Sequence, residues 1–127
     1  MGAFLPAVQA WFREVFQDPT PPQAQGWPAI QRGENTLILS PTGSGKTLAA
    51  FLWGINEIYR ELQETIQDGR EAEEGVRLLY ISPLKALNND VERNLRVPLA
   101  GIQRVANKQD APLPRLSKGA QCLFRVA

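Results

Sequence analysis

The residues best able to do chemistry lie in one short run, Ser40-Pro41-Thr42-Gly43-Ser44-Gly45-Lys46-Thr47. Gly43 and Gly45 allow backbone conformations that a Cβ would obstruct. Successive N–H groups in such a loop can turn inward as an anion nest. A helix starting behind them adds partial positive charge. Lys46 brings a full charge that can reach the β- and γ-phosphates of a nucleotide, and the Thr47 hydroxyl can ligand Mg²⁺. The expected chemistry is therefore the holding of a phosphate chain. The competing reading is a Gly-rich turn whose lysine is merely solvated, and the elements on either side argue against it.

Those elements follow from periodicity. Thr36-Leu37-Ile38-Leu39 is a short apolar run bounded by turn residues, which predicts a buried strand. From about Lys46, Leu48, Phe51, Leu52, Ile55, Ile58, Tyr59, Leu62 and Ile66 form the apolar face of a long helix, with Gly69 as its stop. The Gly-rich run thus sits between a strand and a helix, the context a phosphate loop needs. Val76 to Ile81 predicts a second buried strand. Ser82-Pro83 then suits an N-cap and first helical position. The helix that follows carries Leu84, Leu87, Val91 and Leu95 and is expected to end near Pro98. Strand, loop, helix, strand, loop, helix is the order of a parallel α/β sheet. Both loops, 40–46 and 82–84, are then expected at the carboxyl edge of that sheet, where ligands bind.

Ahead of this lie two helices. Phe4, Leu5, Val8, Trp11, Phe12, Val15 and Phe16 share one face of the first, and Pro19-Thr20-Pro21-Pro22 ends it. A short second helix starts near Pro21-Pro22, carries Ala24, Trp27 and Ile30, and stops at Gly33, with Pro28 as a possible kink. Trp11, Trp27 and Trp53 fall on apolar faces and read as core. Residues from about Ile102 read as irregular, although Gln121 to Val126 is a candidate third strand. Two strands and a candidate third leave unpaired edges, so marginal stability is expected of the chain alone.

Composition sets the outer bounds. The chain has 127 residues, one ordinary domain's worth. Its 14 Lys and Arg against 13 Asp and Glu give a net charge of +1, which excludes a wholesale coat for nucleic acid or membrane. The charge is uneven: 9 basic and 12 acidic residues in 1–101, then 5 basic and 1 acidic in 102–127. There is no His, which removes His-based acid–base catalysis and His metal ligands. The single Cys122 makes neither an internal disulfide nor a zinc site. The longest run of apolar residues plus Gly, Leu48 to Ile55, falls far short of the ~18 residues that suggest a membrane span. With no export signal and one Cys, a cytoplasmic setting is expected, with no membrane partner and no metal beyond nucleotide-bound Mg²⁺.

Three ordered motifs resemble one family. The phosphate loop carries Ser40 where the general pattern has Gly, and this form resembles motif I of superfamily 2 helicases, the DEAD/DEAH-box group. Upstream, Pro19-Thr20-Pro21-Pro22-Gln23 is similar to that group's Q motif. Downstream, Ser82-Pro83-Leu84-Lys85-Ala86-Leu87 resembles motif Ia. The runs Gln23 to Ile30, Leu48 to Leu52 and Pro83 to Leu87 look most like the large-helicase-related branch. The resemblance covers roughly residues 8–101. It implies an α/β fold, an incomplete RecA-like P-loop domain with parallel strands and flanking helices. It implies an ATP-dependent helicase of DNA or RNA, with Thr42, Gly43, Ser44, Gly45, Lys46 and Thr47 on the nucleotide and Lys46 and Thr47 as its catalytic pair. Gln23 is implied to read adenine, since an amide can both donate and accept, with Phe16 or Phe12 packed nearby. By itself Gln23 reads as a surface glutamine after a proline turn, and both phenylalanines read as core. Pro83, Leu84 and Lys85 are implied to touch the nucleic-acid backbone. Lys85 opens a helix, where its charge opposes the macrodipole unless an anion offsets it; the alternative is a lysine snorkelling into solvent.

The family also uses an Asp-Glu pair to assist Mg²⁺ and orient the attacking water, and no Asp-Glu pair occurs here. The expectation is an N-terminal part of a larger helicase: residues 1–101 from its ATP-binding domain, then a basic irregular tail, 102–127, truncated or frameshifted. The alternative is a non-catalytic module that binds nucleotide or nucleic acid. A small P-loop kinase is a weaker third reading, against which Ser40 and the two flanking motifs argue.

Overall fold

The computed structural model describes residues 2–39, 46–70, 77–80, 85–108 and 124–126. Its elements are α1 (Pro6–Phe16), α2 (Pro21–Gln31), α3 (Lys46–Gln67), β1 (Leu78–Tyr80), α4 (Lys85–Lys108) and β2 (Phe124–Val126). The chain divides into two units, residues 1–57 and 58–127, with α3 running from one into the other.

In residues 1–57 the apolar faces read from spacing are the ones that are buried. Val8, Trp11 and Phe12 line the inner side of α1, and Phe4, expected on the same helix, is buried just ahead of it, while Val15 and Phe16 at its end are about half exposed. The N–H of Leu5, which caps α1, donates to Asn56 Oδ1 on α3 at 2.6 Å. Helix starts leave N–H groups unbonded, and here a buried amide 51 residues away satisfies one. After α1 the chain reverses through a γ-turn: the N–H of Asp18 donates to the Phe16 carbonyl, with Gln17 at φ +65°. A non-glycine residue there is strained by about 1–3 kcal/mol. The compensation is a sharp entry into α2, whose first two positions are Pro21 and Pro22. Gly33, at φ +76°, ends α2 as expected.

One expected element is not formed. Thr36 to Leu39 is irregular, not a buried strand, with Leu37 and Leu39 more than four-fifths exposed. Among the described residues of this unit there is no second strand to take up its N–H and C=O groups, and an apolar run alone does not make a ladder. Ile38 still points inward: a Cβ on Gly26 would lie 3.0 Å from its Cδ1, so glycine there makes room for it. The shared sheet edge expected for loops 40–46 and 82–84 depended on this strand.

In residues 58–127 a parallel pair is formed. β1 and β2 align Leu78 with Phe124, Leu79 with Arg125 and Tyr80 with Val126. The candidate third strand is thus present over Phe124–Val126. A parallel pair needs a long crossover, and α4 lies between the two strands in sequence. β1 alternates, where a buried strand was expected: Leu78 packs on Ile58 and Leu62 of α3, whereas Leu79 is 55% exposed. α4 also runs past its expected end at Pro98 to Lys108. The proline removes one helical N–H and costs about 3 kcal/mol. Burial of Ile102, Val105 and Ala106, at helical spacing, carries the helix on. Residue 101, expected to end the patterned part, therefore lies inside a helix. α3 stops as predicted at Gly69 (φ +72°), where the Arg70 N–H returns to the Thr65 carbonyl.

Tyr59 is buried, and its hydroxyl has no hydrogen bond of full geometry among the described residues. Burial pushes that hydroxyl up to about 12, with the Gln103 side chain pulling more weakly the other way. The folded chain therefore keeps a proton that the unfolded chain loses near pH 10, so stability falls as pH rises from about 10 to about 12. Tyr59→Phe should flatten that fall in urea melts followed by circular dichroism. At pH 7 it should cost less than about 1 kcal/mol or stabilise, because the hydroxyl has no hydrogen bond of full geometry among the described residues. Asn56→Ala, by contrast, strips the Leu5 N–H of its acceptor. It should lower stability by about 1–3 kcal/mol, read from tryptophan fluorescence, since all three Trp lie in residues 1–57.

Candidate functional site

Two helix starts carry the residues singled out for phosphate chemistry. Lys46 and Thr47 are the first two residues of α3, and Lys85 is the first described residue of α4. Thr42, Gly43, Ser44 and Gly45 lie outside the described residues, as do Ser40, Pro41, Pro83 and Leu84. None of the four helices has an acidic residue in its first turn. α1 and α2 open on proline, whereas α3 and α4 open on lysine, a charge that the helix N-terminus repels. An anion at that position would offset the repulsion.

Gln23 is buried, not the surface glutamine that its type alone suggests. It is the third residue of α2, and its Oε1 accepts the N–H of Thr20 at 3.0 Å. With the Thr20 side chain taking the Gln23 N–H in return, the pair forms a capping box. Thr20-Pro21-Pro22-Gln23 thus has a local structural cause in addition to any contact with a base. The box fixes the amide's rotamer, so the group is held in place before any ligand arrives. The T-x-x-Q spacing is itself a helix-start signature.

The first turn of α3 is anchored from α2. Trp27, one turn after Gln23 and on the same face, donates its indole N–H to the Ala49 carbonyl at 3.1 Å. Both residues are essentially fully buried. Phe4 meets Trp27 edge-on at 5.0 Å and Trp53 at 5.1 Å between ring centroids, and Phe12 meets Trp27 at 5.6 Å. Such pairs add about 0.5–1.5 kcal/mol each beyond area burial. Trp11 and Trp27 are core, as their spacing predicts. Of the two phenylalanines considered as neighbours of a base, Phe12 is fully buried in this cluster. Phe16 is half exposed, packed against Trp11 and Phe12. Asn56 was missed by sequence reading, although a polar residue inside the apolar stripe of α3 is a signal that was there to find.

Among the described residues no helix is long and apolar enough to cross a membrane.

Comparison with known proteins agrees with the motifs. The family model for the DEAD/DEAH box helicase matches residues 20–123. That match passes residue 101, where the motif resemblance stops. The chain is 49% identical over 121 residues to the Lhr helicase/probable uracil glycosylase of Mycolicibacterium smegmatis, covering 95% of this chain and 8% of that protein. It is 48% identical over 101 residues to the ATP-dependent helicase Lhr-Core of Methanocaldococcus jannaschii, covering 80% of this chain and 11% of that one. Among solved structures, that of the Mycobacterium smegmatis helicase Lhr bound to ssDNA and AMP-PNP matches with a TM-score of 0.78 and 48% identity. The match covers 91% of this chain and 14% of that one. The chain thus spans only about a tenth of the length of the curated relatives it matches. The Gly43-Ser44-Gly45-Lys46 run, the capped glutamine and the starts of α3 and α4 fall within residues 20–123, and the chain belongs to the DEAD/DEAH box helicase family.

Proposed function

We propose that this chain is the ATP-binding portion of an ATP-dependent nucleic-acid helicase, in which ATP hydrolysis drives translocation or unwinding. The observation that carries the reading is the delivery of Lys46 and Thr47 onto the first turn of a 22-residue helix directly after a Gly-Ser-Gly run. Residues 1–101 hold the three motifs and form the N-terminal part of a RecA-like domain. The relative bound to ssDNA and AMP-PNP supports ATP as the nucleotide and a single strand as the partner.

In this reading the N–H groups of Thr42 to Gly45 cradle the phosphates, and Lys46 balances their charge. Gln23, its amide pre-set by the Thr20 cap, reads the adenine edge. Pro83, Leu84 and Lys85 hold a backbone phosphate of the strand at the start of α4. The chain's own donor for a divalent cation is one hard oxygen, on Thr47. That fits Mg²⁺, which keeps waters and substrate phosphates as its other ligands. When bound, the ion would neutralise charge on the phosphates.

The absence of an Asp-Glu pair from the 127 residues supports a second reading for the chain by itself: it binds nucleotide without turning it over.

Titration calorimetry of the 127-residue chain with ATP and GTP tests both. ATP should bind more tightly than GTP. Lys46→Ala should abolish binding, and Gln23→Ala should bring ATP down toward the GTP level. Equal affinity for the two nucleotides in the unmodified chain overturns the adenine role of Gln23, and undiminished binding by Lys46→Ala overturns the phosphate loop. Steady ATP turnover by the 127 residues, lost on Lys46→Ala, would refute the binding-only reading.

A further inference from the structure

Trp27 links the helix that carries Gln23 to the helix that carries Lys46. Gln23 lies four residues before it on α2, one turn away on the same buried face. Lys46 lies three residues before Ala49, about 4.5 Å along the axis of α3. The indole N–H and the Ala49 carbonyl join these helices at a point one turn from each functional group. The carbonyl has two lone pairs, so it can take the indole as well as its own helical bond.

A nucleotide spans only a limited range of lengths from base to triphosphate. A residue that reads the base must therefore stand at a set distance from the groups that hold the phosphates. Apolar packing alone is non-directional and lets one helix slide on another. A hydrogen bond has narrow limits of length and angle, and this one is formed where water cannot compete for it. The rings of Phe4 and Phe12 close on Trp27 edge-on and limit its rotation. The Leu5–Asn56 bond ties the start of α1, next to Phe4, to α3 as well.

We infer that Trp27 is a positioning residue for base selection: its indole N–H on the Ala49 carbonyl holds Gln23 at the correct distance from Lys46 and Thr47. It acts through Gln23, and the preference for adenine depends on it. The inference rests on the ATP-binding reading above and deepens it.

The test measures ATP and GTP affinity for the full 127-residue chain by calorimetry, with Trp27→Phe, Gln23→Ala and the double variant. Trp27→Phe keeps an aromatic ring against Phe4 and Phe12 and removes the N–H. It should lower the ATP-over-GTP ratio by about three- to ten-fold, the scale of one lost hydrogen bond, while GTP affinity changes little. In the Gln23→Ala background the same substitution should leave the ratio unchanged. A purely structural tryptophan would weaken both nucleotides equally and act additively with Gln23→Ala, and either result overturns the inference while leaving the adenine role of Gln23 intact. If the unmodified chain shows no adenine preference, the reading of Gln23 fails and the inference falls with it. Should Trp27→Phe fail to fold, benzothienylalanine at position 27 keeps the indole shape without the N–H, and the same ratio decides.

Discussion

The indole of Trp27 is the point on which residues 1–57 depend. Its ring meets Phe4 and Phe12 edge-on, and its single polar side-chain atom ends on a main-chain carbonyl of α3. A tryptophan can be buried to this degree only if its N–H finds an acceptor, because an unmet donor in the interior costs about 1–3 kcal/mol. The acceptor it finds is the backbone of α3, the helix that follows the Gly43-Ser44-Gly45 run. One requirement, satisfying a buried indole, thus fixes α2 against the start of α3. The segment leading into α1 ties to the pair through Phe4 and through the Leu5 N–H on Asn56.

The proposed function asks a chain of almost balanced charge to hold polyanions. The net charge of +1 provides no long-range field to gather nucleotide or nucleic acid. Attraction has to be local, and helix starts are where backbone dipoles make it so. α3 and α4 each place a lysine at that position. The cost in helix stability is a fraction of a kcal/mol to about 1 kcal/mol each, and it is offset when an anion is bound. The capping box of Thr20 and Gln23 follows the same economy of parts: hydrogen bonds that start α2 also hold the amide in one rotamer.

Much of this was legible in the residues. The inner faces of α1 and α3 follow from 3.6-residue spacing, down to Trp11, Phe12, Leu52 and Ile55. The stops at Gly33 and Gly69 follow from the positive φ that only glycine adopts without cost. The family followed from three motifs in order. Less was legible wherever an element depends on a distant partner. The run Thr36 to Leu39 has the composition of a strand and no strand beside it among the described residues of its unit. β1 was expected to be a buried strand, but its side chains alternate: Leu78 packs on Ile58 and Leu62 of α3, and Leu79, on the opposite face, is exposed. The part of α4 beyond Pro98 was lost to a rule about proline, which buried contacts at Ile102, Val105 and Ala106 outweigh.

The sequence by itself determined which residues turn inward, where the helices stop and which groups can meet a phosphate, since those depend on spacing, backbone freedom and functional-group chemistry within a few residues. Only the tertiary structure decided that Asn56 would cap a helix 51 residues away, that Trp27 would bond to Ala49, and that Phe124–Val126 would pair with Leu78–Tyr80. Each of these joins groups far apart in the chain, and a hydrogen bond between distant groups is set by how whole elements pack, which no local pattern encodes.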